Sequence, residues 1–284
     1  MRPRSGPTVE HRVLAARLRL LRERAGVSLQ AAAVALGAHP ATVRRIERAE
    51  TGLDARQVRV LLERYAVSAA DVEPIMAGLA AANLPGWWHR WRDTMEPWQQ
   101  EVIGIESSAA LVRTWHPALI PELLRTPAYE AALCRTLTAD PAPRLASRLE
   151  LLAERQRRLA ERGAVLWALF PAAALHTSVG GAAVMAEQRA ALEESAQRQH
   201  LTVQVVPLDF PPHPMTGVPP LHLLRVPAPE IGDRVVLETP GTGVDIIDEP
   251  AAVMDYRIRL DSACTAAPPP GQPLPEGGRG AGNL

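Results

Sequence analysis

Ala33 and Gly37 stand four residues apart, and Val43 and Ile46 follow ten and thirteen positions after Ala33. That spacing suits two short helices crossing steeply through a tight turn. A small residue sits where the helices touch, glycine makes the turn, and two apolar residues seat the second helix on a core. The second helix also carries Arg44, Arg45 and Arg48. Their chemistry is non-covalent: an arginine fork can hydrogen-bond both major-groove acceptors of guanine, and arginine neutralises phosphate. The pattern is a helix-turn-helix, and the partner it implies is double-stranded DNA.

Covalent and cofactor chemistry finds little support in the same chain. Every basic residue other than histidine is arginine. Without lysine there is no P-loop and no Schiff-base or pyridoxal phosphate chemistry. H-E-x-x-H, G-x-S-x-G and paired cysteines at metal spacing are all missing from the sequence. Asp209, His213 and His222 are the nearest approach to a metal set, but Pro211, Pro212 and Pro214 surround them, and they read as surface loop residues. Gly241-Thr242-Gly243 lacks the third glycine and following helix of a dinucleotide loop and reads as a turn. Cys134 and Cys264 are far apart and read as inert thiols of a reducing compartment. The expectation is no enzyme, no catalytic residue, no cofactor and no metal.

The elements that must position the arginines follow from periodicity. Val13, Leu14, Leu18 and Leu21 give an amphipathic first helix ending near Gly26. Ser28 caps a second helix that runs to Leu36. His39 and Pro40 open the third, with Pro at the first turn where its missing N–H costs nothing. Asp54 caps a fourth helix bearing Val58, Leu61, Leu62 and Tyr65. A fifth follows Ser68 with Val72, Ile75, Met76 and Leu79 inward. A Trp-rich connector, with Trp87, Trp88, Trp91 and Trp98, leads to a mixed α/β region and is expected to bury against it. There, strands are expected at Val165–Phe170, Leu201–Val206, Leu221–Val226 and Val235–Glu238. Helices are expected at Pro127–Leu137, Pro141–Arg162, Val184–Gln199 and Glu249–Ser262. The fold class is α+β, with residues 1–9 unstructured, a helical domain at 10–83, a connector at 84–100, the α/β domain at 101–265 and a structureless Pro- and Gly-rich tail at 266–284.

Charge divides along the same line. Residues 1–82 carry 13 Arg against 8 acids, and residues 83–284 carry 18 Arg against 23 acids. A positive head on a negative body suits a head that meets DNA. No apolar run approaches membrane-spanning length, and Met1–Val9 lacks a secretory core, so a cytoplasmic protein is expected.

The run Gly26-Val27-Ser28-Leu29 through Gly37-Ala38-His39-Pro40-Ala41-Thr42-Val43-Arg44-Arg45-Ile46-Glu47-Arg48 resembles, without a gap, the Xre/phage-repressor family of helix-turn-helix regulators. The resemblance implies a five-helix lambda-repressor-like domain whose third helix turns Ala41, Arg44 and Arg45 toward DNA, with His39 at its leading edge. Arg45 is the best base reader, and Thr42 and Arg48 are placed for phosphates. It also implies a structural salt bridge between Arg22 and Glu47, with Ala33, Gly37, Val43 and Ile46 as packing residues. Leu29 departs from the polar residue the family often has at the start of the second helix.

The rest of the chain resembles the C-terminal antitoxin-like domain of WhiJ-type regulators in filamentous GC-rich bacteria. The segments that carry it are Ile105–Ala109, Ile120–Tyr129, Arg155-Gln156, Val179–Gly181, Val203–Pro207 and Val235–Glu238. Glu122 and Arg125 depart from the family's Pro-Gly-Leu-Leu-Gln-Thr. This resemblance implies a regulatory domain that binds a small partner protein encoded nearby, or a ligand, and modulates DNA binding in a homodimer. The alternative is an antitoxin-like protein-binding module whose DNA head serves autoregulation.

Overall fold

The computed structural model describes residues 7–195, 197–239 and 243–275. Its chain divides into two compact units, residues 1–108 with 227–232 and residues 109–226 with 233–284.

In the first unit Thr8 caps α1 (Val9–Arg24), its hydroxyl accepting from His11 N at 3.3 Å. The helix therefore begins inside the segment expected to be unstructured, because Val9 is buried and Thr8 satisfies an amide of the first turn. Then come α2 (Leu29–Leu36), α3 (Pro40–Glu47), α4 (Ala55–Arg64) and α5 (Ala69–Ala82), with Ser28, His39, Asp54 and Ser68 each accepting a backbone N–H at the respective start. The core joins Leu14 and Leu18 of α1 to Ala32, Ala33, Val43, Ile46, Leu61, Leu62, Ile75 and Leu79. These are the apolar stripes of the sequence, folded onto one another.

The Trp-rich segment forms a 3-10 turn at Trp87–Thr94, followed by α6 (Pro97–Glu106). It is expected to bury against the region that begins at 101, and the Trp88 ring lies against Gly86 and Gly104 while Trp87 Nε1 donates to Ser107 Oγ at 2.9 Å. Trp87 and Trp91 meet edge-on at 5.8 Å, and Arg12 of α1 pairs with Glu101 of α6 at 2.7 Å. The Trp-rich segment and α6 lie in the same compact unit as α1 to α5.

The second unit is built on a sheet in the order β3-β2-β1-β4-β5-β6. The strands are β1 (Leu111–Trp115), β2 (Val165–Pro171), β3 (Leu201–Val206), β4 (Leu221–Arg225), β5 (Arg234–Thr239) and β6 (Gly243–Ile247). Strands β1, β2 and β3 are parallel, while β4, β5 and β6 continue antiparallel from β1. Helices α7 (Pro127–Leu137) and α8 (Ala142–Glu161) cross from β1 to β2, and α9 (Ala173–His176) and α10 (Ala182–Ser195) from β2 to β3. Helix α11 (Pro250–Ala266) packs Val253, Leu260, Ala263 and Cys264 on Trp115, Leu169, Leu223 and Val235.

The segment after Ala266, expected to lack structure, is anchored as far as Pro275. Ala267 is buried, Gln204 donates to the Pro268 carbonyl at 2.9 Å, and Arg189 donates to that of Pro275 at 2.8 Å. Its apolar content is too low to form a core, but hydrogen bonds donated by one residue of β3 and one of α10 hold it. The rest of that tail, the first six residues, and Gly241-Thr242 of the expected turn lie outside the described residues. No helix among the described residues is long and apolar enough to cross a membrane.

Candidate nucleic-acid interface

The steep crossing of α2 and α3 begins at Gly37, whose φ of +58° is left-handed. A Cβ there would meet nothing within 4 Å, so glycine is required for its backbone and not for space. Ala38 N then closes back on Ala33 O at 2.9 Å. Ala33 and Val43 are fully buried and Ile46 nearly so, which seats α3 on the core by the two residues the spacing singled out.

His39 Nδ1 accepts from Ala41 N at 3.2 Å, so the ring caps α3, and Pro40 occupies the first turn. Seating Val43, Ile46 and Glu47 inward leaves Ala41, Arg44, Arg45 and Arg48 exposed at positions i, i+3, i+4 and i+7, one continuous face. Thr42 is half-buried at the edge of that face. Arg44 and Arg45 have no carboxylate partner among the described residues, whereas Arg48 lies 3.9 Å from Glu50, an exposed pair of little energetic weight. The helix ends where Ala49 turns to φ +57° and Glu50 N returns to Arg45 O at 2.9 Å.

Glu47 faces the other way. Arg22 of α1 donates to it from Nε at 2.7 Å and Nη2 at 2.9 Å, and from Nη1 to Val27 O at 3.1 Å. One side chain thereby ties α1 to α3 and to the turn before α2. The hydrogen bond to Glu47 raises the Arg22 pKa further above its ordinary value. Burial, reinforced by the Glu47 charge, raises that of Tyr65.

Sequence reasoning missed three contributions. The Val27 tether is one. Asn83, readable only as a helix end, donates to Leu53 O at 2.7 Å and accepts from Leu53 N at 3.3 Å, fixing the loop after α3. Leu29 packs partly against the core, and the neighbouring Gln30 is exposed at the start of α2. The signal for Gln30 was its place beside the cap.

In the second unit, the residues weighed as a metal set do not converge. Asp209 is exposed, His213 stands edge-on to Trp115 at 5.3 Å, and His222 Nε2 lies 2.9 Å from Glu238 Oε1. Among the described residues no group of three His, Cys, Asp or Glu could hold a metal ion.

The segments Ile120–Tyr129 and Arg155-Gln156 do come together at the end of β1. Gln156 donates to the carbonyls of Leu123 and Arg125 at 3.2 and 2.9 Å, and Gln188 of α10 spans Leu124 O and Thr126 N at 2.8 and 2.7 Å. In this loop Glu122 is paired with Arg155 at 2.6 Å and Arg125 with Glu130 at 2.8 Å. Burial would raise the Glu122 pKa, but Arg155 and Arg125 outweigh it and hold it near 2.

A family model described as a helix-turn-helix domain matches residues 13–75. A second, described as a domain of unknown function (DUF5753), matches residues 99–273, more than half of the chain. No curated protein and no solved structure matches.

Proposed function

The chain belongs to the family defined by the domain of unknown function DUF5753, here following a helix-turn-helix domain, and on that footing we propose that it is a sequence-specific transcriptional regulator of the Xre type. The observation that carries this reading is the exposed face of α3, where Ala41, Arg44, Arg45 and Arg48 line up while Val43, Ile46 and Glu47 hold the helix from behind. An α-helix fits the major groove, and a row of arginines on its outer side supplies both the phosphate attraction and a base-reading fork.

In this reading Arg45 reads a base, Arg44 supports it, and Thr42 and Arg48 hold phosphates. His39 fixes the helix start as its cap. The protein binds its operator as a homodimer, because two half-sites about one helical turn, roughly 34 Å, apart let two short helices share the cost of recognition. The second unit is the regulatory part, through which a small partner protein or ligand changes DNA affinity; the resemblance to WhiJ-type regulators supports this assignment.

Gel shifts and footprinting on the protein's own promoter test the reading. Protection of a two-fold site, surviving competition by random DNA at physiological salt, is the expected result. Binding that vanishes equally from promoter and random DNA as salt rises would overturn it.

A further inference from the structure

The second unit contains a crevice on the α11 side of the sheet, about 390 Å³ in volume and lined by Arg113, Trp167, Gln204, Asp261, Cys264 and the prolines 269 and 270. Small-ligand sites fall in this size range and pair apolar walls with a few fixed polar groups. Here the apolar walls are Trp167, Ala267 and the two pyrrolidine rings, and the polar groups are Arg113, Asp261, Gln204 and Thr265.

Arg113 sits mid-strand on β1, an inner strand of the sheet, with only 8% of its side chain exposed. Burying a guanidinium there is expensive, and an apolar residue would serve folding as well. Its five N–H donors are poorly served. Nη1 is paired with Asp261 of α11, Nη2 has only the Cys264 sulfur at 3.4 Å, and Nε is buried with no hydrogen-bond acceptor among the described residues. The guanidinium carbon lies 5.2 Å from the centre of the Trp167 ring.

The neighbouring wall, whose Trp167 is the cross-strand partner of Arg113, is pre-set. Trp167 Nε1 donates to Gln204 Oε1 at 2.8 Å, and Gln204 Nε2 donates to the carbonyls of Cys264 and Pro268 at 3.0 and 2.9 Å. Ring, helix end and proline segment are thus held by one buried glutamine. Asp261, by contrast, is half exposed and has a second cation within reach, Arg257 one turn earlier, at 3.9 Å. It can leave Arg113 without becoming unpaired.

We propose that this crevice binds a small amphipathic carboxylate, its flat apolar body between Trp167 and the proline segment and its carboxylate on Arg113 in place of Asp261. A ligand carboxylate supplies the bidentate acceptor that Arg113 lacks, and Asp261 turns to Arg257. The site deepens the reading of the second unit as the regulatory part and rests on it for its biological purpose, but its chemistry is tested without DNA.

Calorimetric titration of the full chain with benzoate, using benzamide as the uncharged isostere, is the test. Benzoate is expected to bind at least tenfold more tightly than benzamide. Asp261→Asn, at an exposed position, removes the internal competitor and is expected to tighten benzoate binding about tenfold without affecting benzamide. Arg113→Met is expected to abolish the preference; should either variant not fold, the benzoate–benzamide comparison on the native chain decides alone. Equal affinity for the two probes, or a benzoate affinity that Asp261→Asn leaves unchanged or weakens, would overturn the proposal. Loss of promoter binding in the gel shifts, with benzoate selectivity intact, would instead strike the DNA reading.

Discussion

Arg22 holds Glu47 with two hydrogen bonds, at 2.7 and 2.9 Å, across 25 residues of sequence, and the Glu47 side chain is only 4% exposed. The pair locks α3 from its inner side, and the outer side carries exposed arginines. Removing one partner leaves a buried charge uncompensated. Glu47→Ala or Arg22→Ala is therefore expected to destabilise the first unit by about 3–5 kcal/mol. Denaturant unfolding followed by circular dichroism measures this; a loss below about 1 kcal/mol would mean that water replaces the missing partner.

The exposed arginines of α3 should separate by role. Arg45→Ala is expected to cost about 1–3 kcal/mol on the operator and to relax preference at one base pair, as expected when a bidentate fork on guanine is lost. Arg48→Ala should weaken operator and random DNA alike and lower the salt slope by about one unit. Fluorescence anisotropy at several salt concentrations distinguishes them. Equal losses on both DNAs for Arg45→Ala would remove it from base reading. Neither change should move the unfolding midpoint, since both side chains are exposed.

How much of this was legible beforehand depends on how local the cause is. The helix-turn-helix was legible because Ala33, Gly37, Val43 and Ile46 act within one short stretch, and each is needed for a reason that concerns its neighbours. Strands β2 to β5 were legible as apolar runs. Strand β1 was not, because Arg113 and Thr114 stand in the middle of a buried strand where alternation predicts apolar residues. What makes Arg113 tolerable is Asp261, 148 residues away, and no local pattern announces such a partner. Strand β6 was hidden for another reason: it is a short edge strand with Asp245 within it. The Trp-rich segment showed its burial but not its seats, since Gly86 and Gly104 matter only once the Trp88 ring lies against them.

Two glycines with left-handed backbones should respond differently to alanine. At Gly37, φ is +58° and the space is open, so Gly37→Ala is expected to cost about 1 kcal/mol from backbone strain alone. At Gly180, φ is +69° and an added Cβ would lie 2.8 Å from the Ala132 Cβ and 3.0 Å from Val184 Cγ2. Strain and overlap then combine, and Gly180→Ala is expected to cost about 2–4 kcal/mol. Urea midpoints of the two variants provide the comparison. Equal losses would show that the α7–α10 contact yields freely.

Stability should fall in acid in two stages, both set by the loop after β1. His116 Nδ1 accepts from Ala118 N and Leu119 N at 3.2 and 2.8 Å, and burial, with Arg125 assisting, lowers its pKa to about 4. A histidine so depressed is neutral when folded and takes up its proton first in the unfolded chain. Its contribution is complete above pH 6.5 and is lost as the pH falls toward 4. Glu122, held near 2 against an ordinary 4.5, contributes fully above pH 4.5 and loses that contribution as the pH falls toward 2. The urea midpoint is thus expected to decline from about pH 6.5 downward, at up to about 1.4 kcal/mol per pH unit for each proton taken up. In His116→Asn, whose side-chain oxygen can still accept the two amides, the decline between pH 6.5 and 4.5 should flatten while the lower stage remains. An unchanged slope in that variant would assign the upper stage to another group.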